Sequence, residues 1–238
     1  IVAYSLTQET PDAQTLLLHL QAAGQLPPGA AGQVRFQQLY ASVQDALALL
    51  SGRKITAVLW PFSLALGNTT LHGQFVQHFQ DGVYHLRLGG KMKGRDHIAS
   101  GLSALVARAC GLQLEFFDFT DKAVPRTITL NPAQAQAELA GLLDLYRQGQ
   151  SRILPFHRNH SFAFHADRQK DPDLDARQWL EQTLLDEQDS EHAEMDGFGD
   201  FLTYGDGFLK RVALADPDGF AALSKQVCGL LLGDSADD

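Results

Sequence analysis

The sequence predicts an α/β protein with a helical C-terminal part. Predicted elements run in the order helix, three strands, helix, strand and then further helices, which is the pattern of an α/β core followed by a helical lobe. We expect the core over residues 1–165 and an acidic helical lobe over residues 166–238, packed on the core. At 238 residues the chain is long enough to bury a substantial core.

Helices are predicted where apolar residues recur at helical spacing between residues that start or stop a helix. Pro11 suits the first turn of the earliest helix, and Gly24 ends it. Asn131 is a favourable N-cap residue, and Pro132 follows it at the first helical position. The predicted helices cover residues 11–24, 33–52, 94–111 and 131–149, and further helices surround a polar, Gly-rich stretch at 198–208.

Strands are predicted for short apolar or aromatic runs. The Asp81-Gly82 pair between two such runs predicts a β-hairpin with a two-residue loop. In the register of that hairpin, Phe79 lies opposite Tyr84 on an apolar face. The predicted strands are residues 54–62, 71–79, 83–88 and 112–119, with 126–130 as a further short candidate.

The other face of the predicted hairpin carries no carboxylate. In the same register Val76 lies opposite Arg87, His78 lies opposite His85, and Gly89 completes the face. Divalent-metal cleavage of a phosphodiester normally needs two or more carboxylates that converge on the ion. The hairpin therefore excludes a conventional two-carboxylate magnesium site.

Charge is distributed unevenly along the chain. The net charge of −9 argues against a general nucleic-acid clamp, since such proteins are usually basic. Residues 1–164 hold 13 Lys and Arg against 10 Asp and Glu, a balance of +3, whereas residues 165–238 hold 6 against 18, a balance of −12. The acidic C-terminal third is either a solvated helix face with an acidic loop or a docking surface for a basic partner subunit.

A basic cluster precedes the helix predicted at residues 94–111. Its members are Arg87, Lys91, Lys93 and Arg95. Backbone amides at a helix N-terminus together with cationic side chains can hold a phosphate, so these four residues are the candidate DNA or phosphate contacts. The alternative is a solubilising turn.

Two further groups of residues could form a metal site. His157, His160 and His165 are close together in an aromatic segment predicted to be a loop; zinc binding would need a further ligand, and packing is the alternative. Glu115 and Asp118 lie three residues apart in a predicted strand, so on a regular strand they face opposite ways and cannot share a metal without a bulge.

The chain shows no targeting or membrane-spanning pattern. No apolar run reaches bilayer-spanning length, and the N-terminal residues do not form a signal peptide. Cys110 and Cys228 lie far apart in apolar helical patterns, and buried free thiols suit a reducing cytoplasm, where we expect the protein. Because the sequence opens on Ile1 within a regular pattern, we expect a fragment from the C-terminal part of a longer protein.

Several segments together resemble a known family. They are AAGQLPPGAAG at 22–32, LHGQF at 71–75, LGGKMKGRDHIASGLSALVARACG at 88–111 and LYRQGQSRILPF at 145–156. In order and spacing they are similar to the C-terminal domain of RecC, the gamma subunit of exodeoxyribonuclease V within the RecBCD helicase–nuclease. The resemblance covers most of residues 15–165 and fades beyond about Asp167. It implies a restriction-endonuclease-like core, a mixed sheet flanked by helices.

The resemblance also indicates which positions of this chain correspond to the catalytic residues of active relatives. In active PD-(D/E)xK nucleases a Gly-x-x-Asp strand is followed by a strand with Asp/Glu-x-Lys. Here Gly73 fits the glycine, Val76 takes the aspartate position, and the triplet starting at Arg87 and ending at Gly89 replaces the acid-x-lysine triplet. The resemblance thus implies a degenerate site with no catalytic residue, no metal and no cofactor in this domain.

Three hypotheses on function follow. The resemblance implies a non-catalytic RecC-type domain that contacts RecB-type and RecD-type subunits, borders the DNA path in double-strand-break repair and recombination, and has no membrane role. The first alternative is an active metal-dependent DNA nuclease with a rearranged acidic site, using Glu115 and Asp118. The second is a free-standing binding module unrelated to recombination.

Overall fold

A computed structural model of the chain describes residues 12–50, 55–87, 91–120, 123–189 and 209–233. Over these residues the protein is a mixed α/β fold with two sheets and accompanying helices, which confirms the predicted α/β class. The helices and strands, in chain order, are α1 (Ala13–Ala22), α2 (Ala30–Leu50), β1 (Ile55–Leu66), β2 (Thr69–Phe79), β3 (Val83–Leu86), α3 (Gly94–Ala109), β4 (Phe116–Phe119), β5 (Ala123–Pro125), α4 (Pro132–Gly149), α5 (Arg158–Lys170), α6 (Ala176–Asp189), a π-helical turn (Leu209–Ala213) and α7 (Pro217–Leu232).

The described residues form two compact units. The first falls within Ile1–Pro61, Gln74–Met92 and Glu115–Pro125, and the second within Phe62–Gly73, Lys93–Leu114 and Arg126–Asp238. The boundary predicted between residues 165 and 166 falls inside α5. The division into a core and an acidic lobe stays a prediction.

The two sheets differ in how their strands are paired. Strands β1 and β2 form a two-stranded sheet, joined by the tight turn Gly67-Asn68, where Gly67 has a φ of 61°. Strand β4 is the centre of a three-stranded sheet. It pairs in parallel with β3, with Val83 beside Phe116, and antiparallel with β5.

The predicted hairpin between residues 71–79 and 83–88 is wrong. Among the described residues, strands β2 and β3 belong to different sheets, and only an isolated bridge links Phe79 to Gly82. The predicted registers, including Val76 opposite Arg87, are therefore wrong as well.

After the turn at Asp81-Gly82, β3 pairs with β4. The amide of Val83 donates to the carbonyl of Glu115 at 2.8 Å. A Cβ at Gly82 would lie 2.6 Å from that carbonyl oxygen, so only glycine allows this approach. Tyr84 stacks on Phe117 with ring centroids 4.8 Å apart, which adds aromatic packing between the two strands.

The helices of the second unit are built around apolar clusters. Leu105 of α3 is fully buried with Ala109 and Leu139 in one cluster. A second cluster holds Phe220 of α7, also fully buried, against Phe164 of α5. Burial of side chains of this size contributes about 1.5–3 kcal/mol each, and the helical periodicity of the sequence places them on the inward faces.

Helix α4 begins where the sequence predicts. The side chain of Asn131 accepts a hydrogen bond from the amide of Gln134 at 2.9 Å, and the side chain of Gln134 accepts one from the amide of Asn131 at 3.0 Å. This reciprocal capping box satisfies two amides that the helix itself cannot pair. The predicted N-cap is confirmed.

Other local predictions are corrected by the structure. Residues 126–130 are extended but belong to no sheet, and the short strand lies just before them, at β5. The histidine-containing segment is helical rather than a loop, since α5 covers most of it. The Gly-rich stretch at 198–208 lies outside the described residues.

Candidate functional site

Val76 and Arg87 are the residues that the resemblance aligns with the acids of active nucleases, and this alignment stays a prediction. Val76 lies in β2 and is 37% exposed. Arg87 follows β3, and its amide donates to the carbonyl of Phe119 at 2.8 Å, so its backbone continues the parallel pairing with β4. Gly89, the third position, lies outside the described residues.

Gly73, which the resemblance aligns with the motif glycine, has a packing role. A Cβ built at Gly73 would lie 2.6 Å from the ring of Phe62. A side chain at this position would therefore have to displace a half-buried aromatic ring. Gly73 is explained by close packing in the second unit, whatever the chemistry of the domain.

One acid of the alternative nuclease hypothesis lies among basic neighbours. Asp118 of β4 is the register partner of His85 in β3. Because Arg87 continues the same strand two residues after His85, period-two alternation places its side chain on that face too. Glu115 precedes β4 and is exposed. Asp118 thus shares its sheet face with a histidine and an arginine, and neither supplies the hard oxygen ligands that Mg²⁺ prefers.

Metal ligands do not converge in the part of the chain that the structure describes. Within those residues, no three or more His, Cys, Asp or Glu side chains are placed to hold a metal ion. The expectation that this domain binds no metal or cofactor stays a prediction.

The four basic candidates do not form one described cluster. Arg87 and Lys91 belong to the first unit, whereas Lys93 and Arg95 belong to the second. The amide of Lys93, the N-cap residue of α3, donates to the carboxylate of Asp96 at 2.9 Å. The Nε of Arg95 lies 3.8 Å from the same carboxylate.

These contacts affect what the basic residues can bind. Asp96 already supplies the negative charge that the N-terminal end of α3 favours. The side chain of Arg95 is nevertheless 54% exposed, and Lys91 is exposed as well, so both can reach a phosphate in solution. Contact with DNA through these residues stays a prediction.

The three histidines are used in capping and packing. His157 is buried and is the N-cap residue of α5, where its Nδ1 accepts a hydrogen bond from the amide of His160 at 3.4 Å. The two rings pack with centroids 4.6 Å apart. One turn further along α5, His165 lies 3.4 Å from the side-chain nitrogen of Gln169. These contacts account for the histidine-rich segment without a ligand.

A buried arginine is the residue that the sequence patterns failed to indicate. Arg126 is 8% exposed, and its Nε donates to the hydroxyl of Ser100 at 2.8 Å. Its other guanidinium nitrogens reach the Nδ1 of His97 at 3.2 Å and the carbonyl of Leu231. Arg126 therefore anchors the segment after β5 to helices α3 and α7. A lone arginine before an apolar run carries no sequence signal for such a role.

The second unit also contains an apolar cavity of about 490 Å³. Leucines of α4 form much of its wall, including Leu139, Leu142 and Leu145, and Tyr146 at its edge is 65% exposed. The sequence signal was present, because apolar residues in α4 cover more of the helix than one core-facing stripe requires. A cavity of this kind accepts apolar side chains.

Several carboxylates of the acidic C-terminal third have local structural roles. Asp175 and Asp216 accept hydrogen bonds from backbone amides three residues later, at 2.8 and 2.9 Å, in the manner of helix caps. Asp167 accepts a hydrogen bond from Lys170 at 2.9 Å and one from the indole of Trp179 at 3.1 Å. These two hydrogen bonds lower the pKa of the Asp167 carboxyl. A docking role for this acidic third stays a prediction.

None of the described helices is both long and apolar enough to cross a membrane.

The structure thus describes a mixed α/β protein whose second unit is largely helical. The model of one protein family, described as the RecC C-terminal domain, matches residues 2–169. Since the match covers well over half of the chain, the protein belongs to the RecC C-terminal domain family. Members of this family are part of the RecBCD helicase–nuclease complex. No curated protein matches the chain.

The family match confirms the resemblance that the sequence segments indicate. It also ends close to the point at which that resemblance fades, near Asp167. The remaining residues, 170–238, lie beyond the matched region.

Proposed function

We propose that this protein is the non-catalytic C-terminal domain of a RecC-type subunit of exodeoxyribonuclease V. In this proposal it contacts RecB-type and RecD-type subunits in the cytoplasm and borders the DNA path in double-strand-break repair and recombination. It holds no cofactor, and the motors and the nuclease belong to the partner subunits. Membership of the RecC C-terminal domain family supports the type of subunit.

The observation that carries the non-catalytic part is the identity of two side chains. In the alignment that the resemblance implies, Val76 and Arg87 take positions at which active relatives have carboxylates. A valine offers no metal ligand, and the cation of an arginine repels a metal ion. Asp118, the acid nearest in register to Arg87, shares its sheet face with that cation and with His85. Beside these two side chains, the negative charge of Asp118 is balanced by Arg87 and His85 rather than by a metal ion.

Two surfaces support a role in contacts. The apolar cavity of the second unit, with exposed Tyr146 at its edge, suits apolar side chains of a partner subunit. Exposed Lys91 and Arg95 suit phosphate of a DNA backbone. The predicted acidic lobe would repel phosphate, so it suits a protein partner instead.

The experiment uses the full-length subunit, alone and reconstituted with its partner subunits. Labelled duplex and single-stranded DNA are incubated with each preparation in Mg²⁺ or Mn²⁺. We expect no cleavage by the subunit alone and cleavage by the reconstituted complex. In the complex, Glu115→Ala and Asp118→Ala in this subunit should leave the cleavage rate within about twofold of the unmodified complex, since both lie outside any reacting centre in this proposal.

Cleavage by the subunit alone that disappears in either variant would contradict the non-catalytic assignment. It would instead establish the alternative, an active metal-dependent nuclease with a rearranged acidic site. Failure of the full-length subunit to assemble with RecB-type and RecD-type subunits would contradict the assignment of partners.

A further inference from the structure

Helices α3 and α5 of the second unit lie side by side with their N-terminal ends together. A Cβ built on Gly94, the first residue of α3, would overlap the carbonyl oxygen of Arg158, the first residue of α5, so glycine allows the two helix ends to meet. One turn further along both helices, the ring of His97 in α3 stacks on that of Phe162 in α5, with centroids 5.2 Å apart. Because both contacts follow the chain in the same direction, the helices run parallel and begin at the same level.

Three cations from distant parts of the chain belong to this shared end. Lys93 is the N-cap residue of α3, Arg95 lies in its first turn, and Arg158 opens α5. Side chains of a helix lean towards its N-terminus, so those of Arg95 and Arg158 extend towards the same end of the helix pair. Position 158 is one turn before Phe162 and about 40° around the helix from it, which places Arg158 on the side of α5 that faces α3.

Positive charge exceeds negative charge in the first turns of the two helices. The first turn of α3 contains one acidic residue, Asp96, and the first turn of α5 contains none. Asp96 accepts a hydrogen bond from the amide of Lys93 and lies 3.8 Å from the Nε of Arg95. The axes of packed helices are about 8–10 Å apart, close to the Debye length of about 10 Å at 0.1 M salt, so the fields of cations on the two helices add. The shared end therefore attracts a polyanion.

The chemistry of these side chains favours phosphate as the bound group. A guanidinium presents a planar set of donors that matches two phosphate oxygens. The side chain of Arg95 is 54% exposed, and Arg158 is half-buried, with a long stem that can carry its charged end to solvent. The family belongs to a helicase–nuclease complex, in which the polyanion is DNA.

We propose that Arg158 is a further phosphate contact for duplex DNA, on one surface with Lys93 and Arg95. This inference rests on the proposed function, which brings DNA to the N-terminal end of α3. It adds a residue of another helix, to which neither the family match nor the proposed function assigns a role. One such contact contributes about −0.9 to the slope of log K against log salt.

The test measures duplex binding by the reconstituted complex without ATP, through fluorescence anisotropy at several salt concentrations. Arg158→Gln should make the slope shallower by about 0.9, so that between about 50 and 200 mM salt the unmodified complex loses about 3.5-fold more affinity than the variant. Arg158→Met, which keeps an unbranched apolar stem and removes the charge, should have the same effect. Arg158→Lys keeps the charge and should retain the unmodified slope within about 0.3.

The matched control is Arg177→Gln. Arg177 is an exposed arginine in the first turn of α6, so this change removes the same charge from the same kind of helix position. It follows three exposed aspartates, Asp171, Asp173 and Asp175, whose charges repel phosphate. We expect the control to retain the unmodified slope within about 0.3.

The possible outcomes distinguish this inference from the proposed function. If Lys93→Gln combined with Arg95→Gln makes the slope shallower while both neutral variants of Arg158 retain it, the inference is overturned and the proposed DNA contact stands. Neutral variants that lower stability in urea but keep the slope show that Arg158 serves the fold, which also overturns the inference. An equal change of slope in Arg177→Gln overturns it as well, because net charge then explains the effect. If no change at 93, 95 or 158 alters the slope, the proposed DNA contact at α3 fails together with the inference.

Discussion

Removing the basic residues beside α3 should weaken the dependence of DNA binding on salt. The perturbation is the triple change Lys91→Gln, Lys93→Gln and Arg95→Gln in the full-length subunit of the reconstituted complex. Each phosphate contact contributes about −0.9 to the slope of log K against log salt for duplex DNA. Lys91 and Lys93 are each counted as one phosphate contact. Arg95 is counted as between zero and one contact, because its Nε lies 3.8 Å from the carboxylate of Asp96.

The expected change follows from that count. Two to three lost contacts make the slope shallower by about 1.8–2.7. Between 50 and 200 mM salt, the unmodified complex should therefore lose roughly 12- to 42-fold more affinity than the variant. Fold stability should not suffer, because the amide of Lys93 still donates to Asp96 and fewer cations lie at the N-terminal end of a helix.

Fluorescence anisotropy of a labelled duplex, titrated at several salt concentrations, measures both slopes. The matched control removes three exposed cations elsewhere, through Arg147→Gln, Arg152→Gln and Lys170→Gln, so that net charge changes equally. We expect the control to retain the slope of the unmodified complex within about 0.5. The reasoning is refuted if the triple variant at Lys91, Lys93 and Arg95 keeps the slope of the unmodified complex, or if the control changes the slope by the same amount.

Two further predictions concern stability, measured by urea unfolding of the chain. Phe220→Ala should lower the free energy of unfolding by about 3–5 kcal/mol, because the ring is fully buried with its centroid 5.3 Å from that of Phe164; a loss below about 1.5 kcal/mol would show that this cluster is not a main core. Asp167→Asn keeps an acceptor for Trp179 but removes the charge, and should cost less than about 1 kcal/mol at pH 7 because the side chain is 46% exposed. The folded-state pKa of Asp167 is below its ordinary value of 3.8, so this contribution is present above that value and lost as the pH falls through the folded-state pKa. The difference between Asp167→Asn and the unmodified chain should therefore close below about pH 3.8, and a difference independent of pH would contradict the charge-based explanation.

Local signals in the sequence predicted helices well and strand partners poorly. The capping box at Asn131 involves only residues three apart, so its pattern alone locates the start of α4. The Asp81-Gly82 pair is also a local signal, and it correctly marks a turn. The partner of β3, however, is β4, whose residue Phe116 pairs with Val83. That choice depends on hydrogen bonds and aromatic packing between distant segments, which turn chemistry does not encode.

The candidate sites also differ in how much of each could be predicted from the sequence. Residue identity at the motif positions could be compared from the sequence, because Val76 and Arg87 need no structure to be recognised as non-acidic. The contacts that hold residues 126–130 could not be anticipated. Arg126 and Arg108 hold this segment through hydrogen bonds between residues far apart in the chain, which local patterns do not encode.

The sequence by itself determined the α/β class, the positions of the main helices and the membership of the RecC C-terminal domain family. Each of these depends on residue type and short-range spacing. The tertiary structure alone decided that β2 and β3 lie in different sheets and that Arg126 is a buried anchor. These features depend on contacts between residues far apart in the chain, where the free energy of packing and hydrogen bonding selects one arrangement among several that the local patterns allow.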